Sequence, residues 1–261
     1  MTPQMTQKAF SNTKSILNGI FSYAVEELEL IPYDICSPIK VSKKNGFEFV
    51  PTDNHLTEVY TKNEREAILS DLENLEHQTG YTWGIRLMFC LDCRIGELKA
   101  VKWSNYYPDK FEHPMILLSN QVVYDLDVNG KHTVKELSYT KAKDKKGQRL
   151  NLISPRAKKV LDEIQAAGVK SEYILCTEAG TPIHTDKFNR ILKETCQRLG
   201  IDYHSSHRLR NYSITEQSKQ TDDLLQIAQN SGQLNLETTL GYVRKAKNET
   251  QDYDAWCEIH N

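Results

Sequence analysis

Between Tyr81 and Lys99 the chain is apolar around nearly the whole circumference of a helix, with Trp83, Ile85, Leu87, Met88, Phe89, Leu91, Ile95 and Leu98 spread over every face. Such a helix has no side to offer water, so the stretch predicts a buried central helix that other elements must surround. A chain of 261 residues, 39% hydrophobic and 26% charged, is long enough to supply that surround and a smaller appended unit. Arg94 and Glu97 stand three apart near the end of the apolar stretch. A charge there is costly unless paired, so Arg94 either makes an ion pair with Glu97 or Asp92 or is held in a cleft for a ligand.

The remaining elements follow from periodicity and punctuation. Residues 7–30 carry an amphipathic helical pattern built on Phe10, Ile16, Leu17, Ile20, Phe21, Ala24, Val25 and Leu28, ended by Pro32 and Pro38. Residues 39–57, basic then polar with Asn45-Gly46 and Pro51, read as a linker. Thr61 and Glu64 form a capping box that opens a helix to about His77. Residues 100–153 are β-rich: Ile116 to Leu118, Gln121 to Tyr124, Lys135 to Tyr139 and Gln148 to Ile153 are strand candidates, with turns at Asn129-Gly130 and Asp144 to Gly147. Helices are predicted from Pro155 to about Ala167, from Thr185 or Asp186 to about Leu199, and over 206–218, 222–230, 236–246 and 251–259. The fold class is mixed α+β, mostly helical.

Composition excludes several functions. No apolar run is long enough to cross a bilayer, and Met1-Thr-Pro-Gln-Met-Thr-Gln is no signal peptide. Six cysteines, at 36, 90, 93, 176, 196 and 257, read as reduced thiols, so the expected location is cytoplasmic. Cys90-Leu-Asp-Cys93 has no second pair and reads as buried thiols rather than a zinc or redox site, and no Gly-rich phosphate loop or metal cluster is present. The net charge of −2 and pI near 6.5 are not the global signature of a nucleic-acid binder. Basic residues are nevertheless grouped: Lys40, Lys43 and Lys44; Lys141, Lys143, Lys145, Lys146 and Arg149; Arg208 and Arg210; Arg244, Lys245 and Lys247.

Three segments carry chemistry in combination. Cys93-Arg94-Ile-Gly-Glu97-Leu, His207-Arg-Leu-Arg210 and Gly232-Gln233 followed nine residues after Gln233 by Tyr242 appear in that order. Two guanidiniums can clamp a phosphodiester through paired N–H···O bonds, and a phenol can attack it. His207 and Arg210, three apart, share one helix face. Together these residues resemble the tyrosine recombinases, the integrases of phages and conjugative elements, over about residues 58–245. Arg94-Ile-Gly-Glu-Leu98 matches the family's segment letter for letter.

The resemblance implies a tyrosine-recombinase catalytic domain with a small β-sheet at 58–246, preceded by the C-terminal part of a helical core-binding domain at 1–45 and a linker at 46–57. It implies that Arg94 and Arg210 bind the scissile phosphate, that Glu97 holds Arg94, and that His207 donates a hydrogen bond or accepts a proton. Tyr242 would be the nucleophile, giving a 3′-phosphotyrosyl intermediate. A deoxyribose 5′-oxygen leaves poorly without a proton; the family supplies a lysine from a β-hairpin, for which Lys141 matches best and Lys143 second. Gln233 stands where the family usually carries histidine. Glutamine still donates a hydrogen bond but cannot shuttle a proton, which implies reduced activity. Lys43, Lys44, Lys143, Lys145, Lys146, Arg149, Arg208 and Arg244 are the expected DNA-binding side chains. Exchange of one ester for another needs no metal or cofactor. The partners implied are double-stranded DNA and further copies of the chain, dimer to tetramer, with no membrane. Residues 247–261 carry Tyr253, Trp256 and Ile259 on one stripe and would dock on a neighbouring catalytic domain. The N-terminal part implies a fragment lacking much of the core-binding domain and any arm-binding domain. Two other readings differ in class: a catalytically impaired DNA-binding relative, and a type IB topoisomerase-like nicking-closing enzyme.

Overall fold

The structure, a computed structural model, describes residues 5–39, 49–50, 59–126, 132–138, 148–221 and 223–232. It divides into two compact units, 1–58 and 59–261. In the first, helix α1 (Gln7–Glu26) starts where the Thr6 hydroxyl accepts the Ala9 N–H. It ends short of the predicted residue 30, where Glu29 adopts a positive φ of 51° and Leu28 N–H turns back to the Tyr23 carbonyl. None of its residues is buried; Ile16 and Ile20 are more than half exposed.

The second unit is built around α3 (Gly80–Met88), every residue of which is buried. Helices α2 (Lys62–Glu73), α5 (Pro155–Ala166), α6 (Thr185–Leu199) and α7 (Ser206–Gln220) pack on it, and α8 (Leu224–Ser231) packs on α7. Ile68, Leu69, Leu72, Ile85, Val160, Leu161, Phe188, Leu192 and Leu209 close one core. Several helix starts obey their caps: the Thr61–Glu64 box is formed in both directions, and Ser154 Oγ accepts the Ala157 N–H ahead of Pro155. Gly80 is obligatory, because a Cβ there would lie 2.2 Å from the Cys176 carbonyl oxygen. Among the described residues no helix is long and apolar enough to cross a membrane.

Two small antiparallel sheets lie beside the helices. Strand β2 (Met115–Leu118) pairs with β1 (Tyr106–Tyr107) and β5 (Arg149–Leu152). Between β2 and β5 in sequence, β3 (Asn120–Leu126) and β4 (His132–Ser138) form a separate ribbon packed on α4 (Ile95–Ala100). The predicted strands are present apart from their ends; β1 is too short for a periodicity to register. The turns at 129–130 and 144–147, most of the linker, and the helices expected at 236–246 and 251–259 lie outside the described residues.

Where α4 meets β3 and α6, Lys99 is 3% exposed; its ammonium donates to Thr185 Oγ1 at 2.8 Å and sits 4.7 Å from the Tyr124 ring centroid. Burial pushes its pKa down from 10.5 to about 8. Below that value both folded and unfolded chains carry the proton, and the folded state bears the full cost. Between the two values only the unfolded chain is protonated, so this lysine makes stability rise with pH. Lys99→Met is expected to raise stability at pH 7 by about 1–3 kcal/mol and to remove that rise. Thermal unfolding of both proteins at pH 7 and at alkaline pH checks it.

Candidate active site

The predicted helix 81–99 is two helices. After Met88 the chain makes a tight irregular passage in which the Cys93 N–H bonds the Leu91 carbonyl at 2.8 Å, and Arg94 takes extended angles (φ −78°, ψ 151°) as the N-cap of α4. Periodicity cannot show this break, because the residues are apolar on all faces. What stabilises the restart is Glu97: its Oε2 accepts the Arg94 backbone N–H at 2.7 Å, and its Oε1 accepts from Arg94 Nη1 at 3.0 Å. Arg94 is thereby turned out of the helical row, with 42% of its side chain exposed.

Opposite it, the first turn of α7 presents His207 and Arg210. Arg94, Ile95, Gly96, Gln121, His207 and Arg210 line one cavity of about 270 Å3, with Met88 and Ser206 at its floor. His207 is exposed, whereas Arg210 is only 2% exposed. Arg210 Nη2 donates to the Ser231 carbonyl, while Nη1 is buried without a hydrogen-bond partner among the described residues. Burial, together with the like charge of Arg94, holds the Arg210 pKa down to about 10. The N-terminus of α7 adds its positive dipole end to the same pocket. Such a pocket suits an anion.

The guanidiniums of this region share a second set of acceptors, the last carbonyls of α8. Arg149 Nε bonds Asn230 at 3.1 Å, Arg210 bonds Ser231, and Arg94 Nη2 bonds Gly232 at 3.3 Å. Gly232 ends α8 in the left-handed region at φ +61°. The Glu97 carboxylate lies among these cations and is fully buried. Burial works against its ionisation, yet the Arg149 hydrogen bonds and charge, aided by the Arg94 N–H, hold it below the usual carboxylate range.

Arg149, one of the side chains expected to reach DNA, is 8% exposed and bonds the Asn230 carbonyl at the end of α8. The reason lies in β5, where Asn151 is buried while Leu150 and Leu152 are 42% and 60% exposed, so polar residues face in and apolar ones out. Arg208 is half-buried on α7 and is not among the residues lining the cavity. Tyr242, Gln233, Lys141, Lys143, Lys145, Lys146, Lys43, Lys44 and Arg244 lie outside the described residues.

Gln121 and Gln217 carry no signal of their own in the sequence, and Asp92 stands out there only as a possible partner for Arg94. Gln217 donates to Asp92, whose carboxyl burial pushes to a higher pKa, and Gln121 lines the cavity from β3. Cys93 is buried and Cys90 half-buried, both free thiols, and burial pushes Cys93 up to about 12.

An exposed and a buried arginine brought together from two helices, beside a small sheet on a helical core, are what the tyrosine-recombinase resemblance implies. Residues 58–249 match the model of the phage integrase family, and the chain belongs to that family. It is 28% identical over 219 residues to the prophage ps2 probable integrase of Lactococcus lactis subsp. lactis (strain IL1403), covering 78% of this chain. The chain spans about half the length of that relative, 54%. Its fold is similar to that of the Tn1549 transposon integrase in complex with circular intermediate DNA, with a TM-score of 0.69 at 14% identity over 95% of this chain and 80% of that one. It is also similar to XerA recombinase, with a TM-score of 0.57 at 14% identity over 93% and 76% of the two chains. A lambda integrase dimer bound to a core site gives 0.53 at 16% identity over 88% and 71%.

Proposed function

We propose that this chain carries the catalytic unit of a site-specific DNA recombinase of integrase type. The observation that carries the reading is the cavity at the α4–α7 junction, where Arg94, Arg210 and His207 converge and Arg210 keeps a buried N–H without a partner among the described residues. In this reading the two guanidiniums and His207 bind the non-bridging oxygens of one DNA phosphate and stabilise the charge that grows on them during attack. The Tyr242 phenol oxygen attacks phosphorus, forming a 3′-phosphotyrosyl ester, and the deoxyribose 5′-oxygen leaves with a proton from Lys141 or, second, Lys143. A 5′-hydroxyl from a partner strand reverses the step. No net bond energy is consumed. Gln233 donates a hydrogen bond in place of the usual imidazole, at a cost of about a hundredfold in rate. Lys43, Lys44, Lys143, Lys145, Lys146, Arg208 and Arg244 contact the DNA backbone, and residues 247–261 dock on a neighbouring copy within a dimer or tetramer on DNA.

The test is a duplex nicked just beyond the cleavage point, so that the released fragment diffuses away and religation fails. Duplexes cut from the ends of the mobile element would be used without added metal. A covalent protein–DNA band on a denaturing gel is expected for the wild type and is expected to vanish in Tyr242→Phe. Binding by gel shift with no band from the wild type would instead favour the impaired DNA-binding relative.

A further inference from the structure

We propose that Arg149 is a positioning residue of this site, acting through Glu97 to keep the Arg94 guanidinium available to phosphate. The inference rests on the recombinase reading and deepens it. Arg149 Nη2 donates to Glu97 Oε2 at 3.0 Å and to the Asp92 carbonyl at 2.5 Å, while Nη1 reaches Glu97 Oε1 at 3.2 Å and Nε reaches the Asn230 carbonyl at 3.1 Å. One guanidinium therefore ties together the passage that turns Arg94 outward, the carboxylate that holds Arg94, and the end of α8. From Gly232 the chain has ten residues to Tyr242. An ammonium cannot replace it, because these acceptors lie on different edges of a planar fork of five N–H groups.

Packing points the same way. A Cβ on Gly232 would fall 2.5 Å from Arg149 Nη1 and 2.8 Å from its Cζ, so the guanidinium is pressed against the turn that ends α8. The glycine is required there by close approach as well as by its positive φ.

The chemistry explains why this matters beyond support. Glu97 is fully buried and is shared by two guanidiniums. With Arg149 present, much of its charge is matched away from the cavity. Without Arg149 more of the carboxylate's charge falls to Arg94, drawing that guanidinium inward and offsetting the charge it would offer to phosphate.

Cleavage of the nicked duplex would be measured for Arg149→Gln, Arg149→Lys, Arg94→Gln and Arg149→Gln/Glu97→Gln. Each would be run with a phosphodiester and with a neutral methylphosphonate at the scissile position. Arg149→Gln is expected to lose about a hundredfold in the cleavage step on the phosphodiester, but less than about tenfold on the methylphosphonate, following Arg94→Gln. Removing the Glu97 charge in the double variant is expected to restore part of the loss. Arg149→Lys, which keeps a cation beside Glu97 and so guards against failure to fold, should show the same substrate dependence in weaker form. DNA affinity and its salt dependence should not change, whereas loss of a direct phosphate contact would lower the salt slope by about one.

Equal losses on both substrates, with no recovery in the double variant, would reduce Arg149 to a structural support and overturn the proposal. A fall in affinity and salt slope with the cleavage step intact would make it a DNA contact and also overturn it. Wild-type cleavage by Arg94→Gln would sink the recombinase reading of the cavity itself. Loss in Arg94→Gln but not in either Arg149 variant would sink only the positioning role.

Discussion

Arg210→Met is expected to lower the cleavage step by about a thousandfold while leaving the protein as stable as the wild type or more stable. The two effects have opposite signs for one reason. Arg210 is 2% exposed, its Nη1 has no partner among the described residues, and its charge faces that of Arg94 across the cavity. Its burial is only partly offset by the Ser231 carbonyl and the Glu97 charge, and replacing such a cation with an apolar side chain of similar length costs little or gains about 1–4 kcal/mol. When a phosphate bears growing negative charge, the same cation is matched, and its loss appears as lost transition-state stabilisation. Thermal unfolding together with single-turnover cleavage of a nicked duplex checks both halves. A clear drop in melting temperature would show that the Ser231 contact, rather than desolvation, governs the energetics of this side chain.

Glu97→Ala should act in the other direction. It removes a carboxylate that holds both Arg94 and Arg149, and the Arg149 guanidinium, 8% exposed, loses its Glu97 ion pair. Breaking a buried pair from one side costs about 3–5 kcal/mol. For a unit of this size that is roughly 6–20 °C in melting temperature. Because its folded pKa lies below 4.5, Glu97 contributes stability that is fully present above that value and is lost as pH falls through the lower folded pKa. The Glu97→Ala protein should therefore lose less stability on acidification below about pH 4.5 than the wild type does. Melting curves at pH 7 and pH 3.5 decide the matter; equal acid sensitivity in the two proteins would mean that Glu97 is not a major source of the pH dependence.

Much of this architecture was legible before any coordinates. Helix starts at Thr61 and Pro155 were readable because a capping hydroxyl or a proline is a local device, completed within one turn. The strands at 116–118 and 121–124 were readable from β-branched and apolar runs between turn signals. The break at residues 89–94 was not. Its restart is capped by Glu97 bonding back to Arg94, and arginine is not a residue that announces an N-cap.

The candidate site divides in the same way. Arg94, His207 and Arg210 stood out because their order and spacing resemble a family, and the fold brings all three to one cavity. Arg86 shows what spacing alone misses. It also lies in the apolar stretch, yet it is 2% exposed and pairs in bidentate fashion with Glu163 at 2.5 and 2.9 Å, a structural pair remote in sequence. Two arginines eight residues apart thus have opposite fates. Arg94 finds its carboxylate three residues on in Glu97, whereas the partner of Arg86 is delivered by the tertiary fold.

By itself the sequence determined the helical class, the small β region, the capped helix starts and the residue types able to hold a phosphate, since each depends on neighbours within a few positions. Only the tertiary structure decided that the central helix breaks at Arg94, that Arg149 turns inward from a strand with reversed polarity, and that three guanidiniums meet the end of α8. Those outcomes depend on burial and on partners between 21 and 138 residues away, as with Ser231 for Arg210 and Gly232 for Arg94. Long-range electrostatic pairing leaves no period in the chain that makes it.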